Sequence, residues 1–207
     1  MGLKVLGIST SPRIKGNSDI LLCESLSAVE AVGCETEYLS LNKLNIHPCI
    51  SCGRCEKLGH CAVEDDYQAI MAKMLDADCM IFATPIYFMS VCAQAKALID
   101  RCQCLWARKY VLKHPTIDTP HSERRAMVIA VGGSRSKNMF PGIELTMKYF
   151  FDVLDMKYML NLFVNQVDKK GDIIEHKTAI KHARQMSLDL IDVKKIVAGR
   201  PETILLT

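Results

Sequence analysis

Four cysteines fall within thirteen residues: Cys49, Cys52, Cys55 and Cys61. The first three recur at every third position, so their thiolates can wrap one face of a compact metal cluster. The fourth follows five intervening residues that include Gly59. Thiolates are soft ligands that suit iron–sulfur clusters and zinc. The run is close to the bacterial ferredoxin pattern, with a longer last gap and no proline after the final cysteine. Gly53 and Gly59 supply tight backbone, whose N–H groups can donate to cluster sulfurs. Zinc more commonly takes two Cys-x-x-Cys knuckles set about a dozen residues apart, which the even spacing here fits less well. A redox dithiol would leave two neighbouring cysteines unexplained. The order of preference is iron–sulfur, then zinc, then dithiol, with chance clustering last.

A second constellation is Ser9-Thr10-Ser11-Pro12-Arg13-Ile14-Lys15-Gly16-Asn17-Ser18-Asp19, which follows an apolar run and leads into a helical pattern. Backbone N–H groups and the positive end of a helix dipole converge at such a bend and favour an anion. Ser9, Thr10, Ser11 and Ser18 can donate hydroxyl hydrogen bonds. Arg13 can fork onto a phosphate, and Gly16 permits close backbone approach. The segment lacks both the Gly-x-x-x-x-Gly-Lys of triphosphate sites and the Gly-x-Gly-x-x-Gly of dinucleotide sites. A monophosphate is therefore expected, against the plainer reading of a polar turn capping a helix.

Ser11-Pro12-Arg13-x-x-Gly16-Asn17-Ser18 resembles the phosphate loop of the NAD(P)H-dependent FMN reductase branch of flavodoxin-like proteins. Thr84-Pro85-Ile86-Tyr87-Phe88, followed by Ala95, Lys96, Ile99, Asp100 and Arg101, is similar to the flavin-side loop and helix of that branch. The resemblance runs from about Lys4 to Val131. It implies that Ser9, Ser11, Arg13, Asn17 and Ser18 hold the phosphate of FMN. It also implies that Pro85, Ile86, Tyr87 and Phe88 lie along the isoalloxazine ring, and that Gly132 and Gly133 approach another edge. The plainer alternatives are loop packing for Tyr87 and Phe88 and a solvated surface for Arg13.

The pairing of these motifs with the cysteine run resembles the iron–sulfur flavoprotein family. That resemblance implies a [4Fe–4S] cluster on Cys49, Cys52, Cys55 and Cys61. It implies a homodimer or homotetramer in which the cluster of one subunit lies near the flavin of another. Electrons would come from a ferredoxin-like donor and leave to a small-molecule acceptor or a protein. Two other readings stay open: a plain NAD(P)H-dependent FMN or quinone reductase without a functional cluster, and a non-enzymatic metal-binding or redox-sensing module. No side-chain acid or base stands out. Cys79, Cys92, Cys102 and Cys104 read as buried structural thiols, while Cys23 and Cys34 carry no assignment. His47 and His60 flank the cysteine run as ordinary loop histidines, and Trp106 has no assigned role.

The elements that must position these groups alternate in kind. Strands are expected at Lys4–Ser9, Glu35–Leu41, Cys79–Thr84, Ala126–Val131 and within Met156–Val164. Helices are expected at Ser18 to about Val32, Tyr67–Leu75, Val91–Leu105, Gly142–Leu154 and Thr178 to about Val197. Asn42 to about Glu64 reads as a long functional loop. Lys109–Arg124, with Pro115 and Pro120, reads as an exposed excursion. The fold class is α/β, flavodoxin-like: one domain, 1–207, with a five-stranded parallel sheet in the order 2-1-3-4-5. Helices cover both faces, and the cysteine-rich loop follows strand 2 at about 42–64. In such a sheet, ligands sit beyond the carboxyl ends of the strands, where Ser9–Ser18, Pro85–Ser90 and Gly132–Ser136 meet.

Composition narrows the classes further. The chain has 207 residues, of which 49% are apolar, enough for a sizeable core. A net charge of +3 with no basic stripe argues against nucleic acid. The apolar stretch Cys79–Ala97 is interrupted by Thr84, Pro85, Ser90 and Gln94, so no membrane span is expected. The first residues read directly as a strand, without a secretory leader. With ten cysteines and no disulfide-scaffold pattern, a cytoplasmic location is expected.

Overall fold

The computed structural model describes residues 2–117, 123–195 and 199–207. Its centre is a parallel sheet. The strands are β1 (Lys4–Ser9), β2 (Glu35–Ser40), β3 (Cys79–Tyr87), β5 (Arg125–Val131), β6 (Lys157–Val164) and β7 (Glu202–Leu206), hydrogen-bonded in the order β2-β1-β3-β5-β6-β7. A two-residue strand, β4 (Ser90–Val91), folds back antiparallel on the end of β3. The first five parallel strands reproduce the expected 2-1-3-4-5 order. Two additions were not foreseen: the β4 hairpin and the edge strand β7, which pairs in parallel with β6 from Leu160↔Glu202 to Val164↔Leu206.

Alternation along each strand sorts side chains onto two faces. Val5, Ile81, Ala83, Met127, Ile129 and Leu162 point to the face covered by α1 (Asn17–Glu30) and α7 (Ala179–Ile191). Leu6, Ile8, Met80, Phe82 and Val128 point to the other face. There they meet α3 (Tyr67–Asp76), α4 (Ala93–Arg101), α5 (Gln103–Trp106) and α6 (Pro141–Val153). Because both faces are covered, β5 is buried at every position and β3 from Cys79 to Thr84, and both read as near-continuous apolar runs rather than alternating ones. Each fully buried large side chain, such as Phe82 or Leu22, contributes roughly 1.5–3 kcal/mol by leaving water.

Several sequence expectations shift. The single helix expected over Val91–Leu105 breaks at Cys102 into α4 and α5, and then runs on as a π-helical turn over Ala107–Val111. The excursion expected over Lys109–Arg124 therefore begins inside a helix. It also ends buried: the Arg124 guanidinium donates from Nε to the Ala77 carbonyl (2.9 Å) and from its two terminal nitrogens to the carbonyls of Leu154 and Met74. Three main-chain acceptors offset the burial of that cation. Pro120 lies outside the described residues. The last helix, expected to reach about Val197, stops at Ile191, and Val197 itself lies outside the described residues. The long loop after β2 contains a single helical turn, α2 (Cys55–Leu58), closed by Gly59 at φ 71°. Among the described residues, no helix is long and apolar enough to cross a membrane.

Candidate functional site

Three loops meet beyond the carboxyl ends of β1, β3 and β5, as the parallel topology requires. Ser11, Arg13, Gly16, Asn17 and Ser18 from the first loop line a cleft together with Pro85, Ile86, Tyr87, Gly132 and Gly133. Nine of the eleven residues expected at this site on sequence grounds thus share one cleft; Ser9 and Phe88 do not line it. Ser9 is buried at the end of β1. Phe88 stands fully exposed at the tip of the β3–β4 hairpin, with Met89 beside it. Both tip residues have positive φ, 48° and 60°, which is the geometry a two-residue hairpin demands.

The floor of the cleft is made for an anion. Gly16 is the N-cap of α1 and makes no side-chain cap, so the first N–H groups of the helix have no intrahelical partner. Ser11 turns the chain: its hydroxyl accepts from Arg13 N–H (3.1 Å) and donates to Arg13 C=O (3.0 Å). A Cβ on Gly16 would lie 2.7 Å from Ser11 Oγ and 3.0 Å from Arg13 O. One on Gly132 would lie 2.7 Å from Met139 Sδ. Thr10 supports the floor from beneath. Its hydroxyl and its N–H both donate to Ala83 C=O, at 3.0 Å each, and the Cys92 thiol donates to Thr10 C=O at 3.1 Å.

One wall was not foreseen. Val167 and Asp168, from the loop after β6, also line the cleft. Arg13 reaches across to donate to Asp168 C=O (3.2 Å). Asn17 clamps the same loop, donating to Lys169 C=O (2.9 Å) and accepting from Gly171 N–H (2.9 Å). The Asn17 side chain is thus spent on holding the wall, which leaves its backbone N–H for a ligand. The Asp168 side chain sits where a Cβ on Gly133 would fall, 2.9 Å away. The signal was available, since the loop after β6 opens on the same edge of the sheet. The cleft measures about 60 Å3. That suits the phosphate end of a nucleotide, whereas a whole drug-sized ligand fills roughly 300–1,000 Å3.

The second site is lined by all four clustered cysteines. Cys49, Cys52, Cys55 and Cys61 surround a cavity of about 140 Å3, together with Arg101 and Cys104. Burial raises the pKa of the Cys55 thiol, and negative charge on Cys49, Cys52 and Cys61 raises it further. Thiols gathered in this way ionise readily only beside a cation, which is what a metal supplies. Among the described residues, no three His, Cys, Asp or Glu side chains are close enough to hold a single metal ion. A mononuclear tetrahedral site needs its sulfurs within roughly 4 Å of one another. A four-iron cluster binds each thiolate through a different iron and takes them further apart. Four thiolates lining one cavity are the donor set such a cluster takes.

Elements of the opposite sheet face hold this loop in place. Asp65 accepts from Arg101 (2.6 Å), from His47 N–H (2.9 Å) and from Tyr67 N–H (2.9 Å). Burial would raise its pKa, but these donors outweigh burial and hold the carboxyl down at about 2. His47 Nδ1 also lies 3.2 Å from Asp65, and His60 Nδ1 lies 2.9 Å from Leu58 C=O. Both histidines act as loop-holding groups. Behind the cavity, the Tyr67 hydroxyl lies 3.5 Å from Cys102 Sγ and 3.3 Å from Cys104 Sγ. Burial pushes the Cys102 thiol up to about 12 and raises Cys104 as well. Both are buried, as the sequence reading of structural thiols expected. All ten cysteines are free.

Comparison with known proteins follows the same two sites. Residues 3–169 match the family described as NADPH-dependent FMN reductase. An iron–sulfur flavoprotein from Methanocaldococcus jannaschii is 45% identical over 103 residues, covering 50% of this chain and 53% of the relative. The chain therefore spans about half the length of that relative. An iron–sulfur flavoprotein from Methanosarcina thermophila is 31% identical over 158 residues, 76% of each chain. Among solved structures, a flavone reductase superposes with a TM-score of 0.70 at 20% identity, covering 97% of this chain and 66% of that one; this is a likeness of fold.

Proposed function

The chain belongs to the NADPH-dependent FMN reductase family, within its iron–sulfur flavoprotein branch, and from that premise we propose a redox protein that carries two cofactors, FMN and a [4Fe–4S] cluster. The observation that carries the reading is that four cysteines with cluster-type spacing line one cavity in a chain that also builds an anion cradle at the switch edge of its sheet. When bound, FMN takes up one or two electrons and the cluster one at a time.

The residues divide the work. Unpaired N–H groups at the start of α1, the Ser11 and Ser18 hydroxyls and the Arg13 guanidinium bind the phosphate. Pro85, Ile86 and Tyr87 orient the ring. Gly132 and Gly133 let the backbone approach the ligand edge. Cys49, Cys52, Cys55 and Cys61 hold the iron. The hairpin tip exposes Tyr87, Phe88 and Met89, side chains that a second copy in a homodimer or homotetramer would cover. The donor is a ferredoxin-like protein, and the acceptor is a small molecule or another protein. The whole chain, 1–207, acts as one domain in the cytoplasm, with the cluster loop at about 42–64.

The test is to prepare the protein without oxygen, measure iron, sulfide and FMN, and record the visible spectrum before and after dithionite. Broad absorption beside the flavin bands, with iron and sulfide present, supports the reading. Flavin without iron or sulfide defeats it. That result would favour a plain NAD(P)H-dependent FMN or quinone reductase, a reading with one observation on its side: among the described residues, no three His, Cys, Asp or Glu side chains gather closely around one ion. Rapid anaerobic reduction by NADPH, with no response to reduced ferredoxin, is its signature. Colourless protein that takes up neither flavin nor iron would leave a redox-sensing or metal-binding module.

A further inference from the structure

Arg101, the last residue of α4, is fully buried, its side chain 0% exposed. One terminal nitrogen donates to Asp65 (2.6 Å) and to His47 C=O (2.9 Å), and the other donates to Val63 C=O (2.8 Å). The Tyr67 ring lies 4.5 Å from the guanidinium carbon. Residues 47, 63 and 65 bracket the cysteine run on both sides, so one side chain pins the two ends of the loop onto a helix. The Nε–H does not take part. Arg101 Nε is buried and has no hydrogen-bond partner. A buried donor left unpaired carries an uncompensated desolvation cost, and such a group calls for an explanation. Arg101 lines the cavity shared by the four cysteines, where Glu56 is the lining acid.

Resting on the two-cofactor reading above, we propose that Arg101 is the positioning residue for the iron–sulfur cluster: its charge and its unpartnered Nε–H face the thiolate-bound group and set its reduction potential. The physical reason is electrostatic. Four thiolates give the cluster a net negative charge, and reduction adds one more. A fixed cation in a low-dielectric cavity stabilises the reduced form more than the oxidised form, so it raises the potential. Arg101 stays charged despite burial. A guanidinium keeps its proton at any working pH. Asp65 sits behind the guanidinium and partly cancels its field.

The test uses the holoprotein and four variants: R101Q, R101K, D65N and the double variant R101Q/D65N. Iron and sulfide per chain are measured first, then the midpoint potential by anaerobic titration followed spectroscopically. R101Q should lower the potential enough to shift the reduced-to-oxidised ratio at least tenfold at a fixed poise, which is about 59 mV for one electron. D65N should shift it the opposite way, and R101K should stay near wild type. If R101Q leaves Asp65 uncompensated and does not fold, the double variant removes both buried charges and should still fall below D65N. A merely structural role would weaken folding in R101Q and D65N alike and leave the potential unmoved. Opposite shifts support the proposal. Unchanged potentials, or shifts in the same direction, overturn it. Wild-type protein lacking iron and sulfide overturns the parent reading as well, and is recognised before any variant is made.

Discussion

The two candidate sites lie in one fold but are built by opposite means. The cradle beyond β1, β3, β5 and β6 is assembled from strand ends, so its position follows from the sheet itself; its donors are main-chain amides and short hydroxyls. The cysteine cavity sits in a long loop whose anchoring depends on side chains, chiefly the buried Arg101–Asp65 pair. Backbone-built sites tolerate most single substitutions except those that fill space. Side-chain-built sites fail when one anchor is removed, because a buried charge is then left unpaired. The two sites should therefore respond independently to mutation and in different ways.

The strongest way to break that contrast is Cys52→Ser or Cys55→Ser. Each should reduce iron and sulfide to background while FMN content stays at wild type; iron that survives either change would collapse the division. Next in size is Gly16→Ala, whose new methyl would press on Ser11 Oγ and Arg13 O. FMN affinity should fall by on the order of tenfold to a hundredfold, with iron content unchanged, as read by flavin fluorescence titration.

Acid should separate the sites through Asp65. Its folded pKa is depressed to about 2 from an ordinary 3.8, so it stabilises the protein above about pH 4, and that stability is lost as pH falls toward 2. The amount is roughly 2 kcal/mol. Denaturant melts of the metal-free protein should show this slope in wild type and a flatter one in Asp65→Asn. Smaller still is Arg13→Ala, where loss of an exposed charge-assisted contact should weaken FMN several-fold, about 1 kcal/mol, with the difference shrinking at high salt. Smallest is Phe88→Ala. A fully exposed ring should change thermal stability by less than about 0.5 kcal/mol, and a larger loss would mean that the hairpin tip packs against something in solution.

Much of this was legible in the chain. Short continuous apolar runs bounded by turn residues placed β1 to the residue and β3, β5 and β6 within a few residues, because strands covered on both faces carry such runs. The spacing of Cys49, Cys52, Cys55 and Cys61 marked them as one candidate ligand set, and the four line one cavity. β7 was missed because a short edge strand is only half-buried and looks like any polar–apolar tail. The break at Cys102 was missed because Cys, Gln and Leu fit a helix equally well on either side of it.

The sequence by itself determined the order of the five central strands and which residue types were available for chemistry, since both are local properties of pattern and side-chain type. Only the tertiary structure decided three other matters: that Asp168 would wall the cradle, that Asn17 would hold that wall, and that Arg101 would close the cysteine loop with one nitrogen unspent. Those contacts join residues 36 to 155 positions apart. No local pattern encodes such a distance; packing of the two sheet faces does.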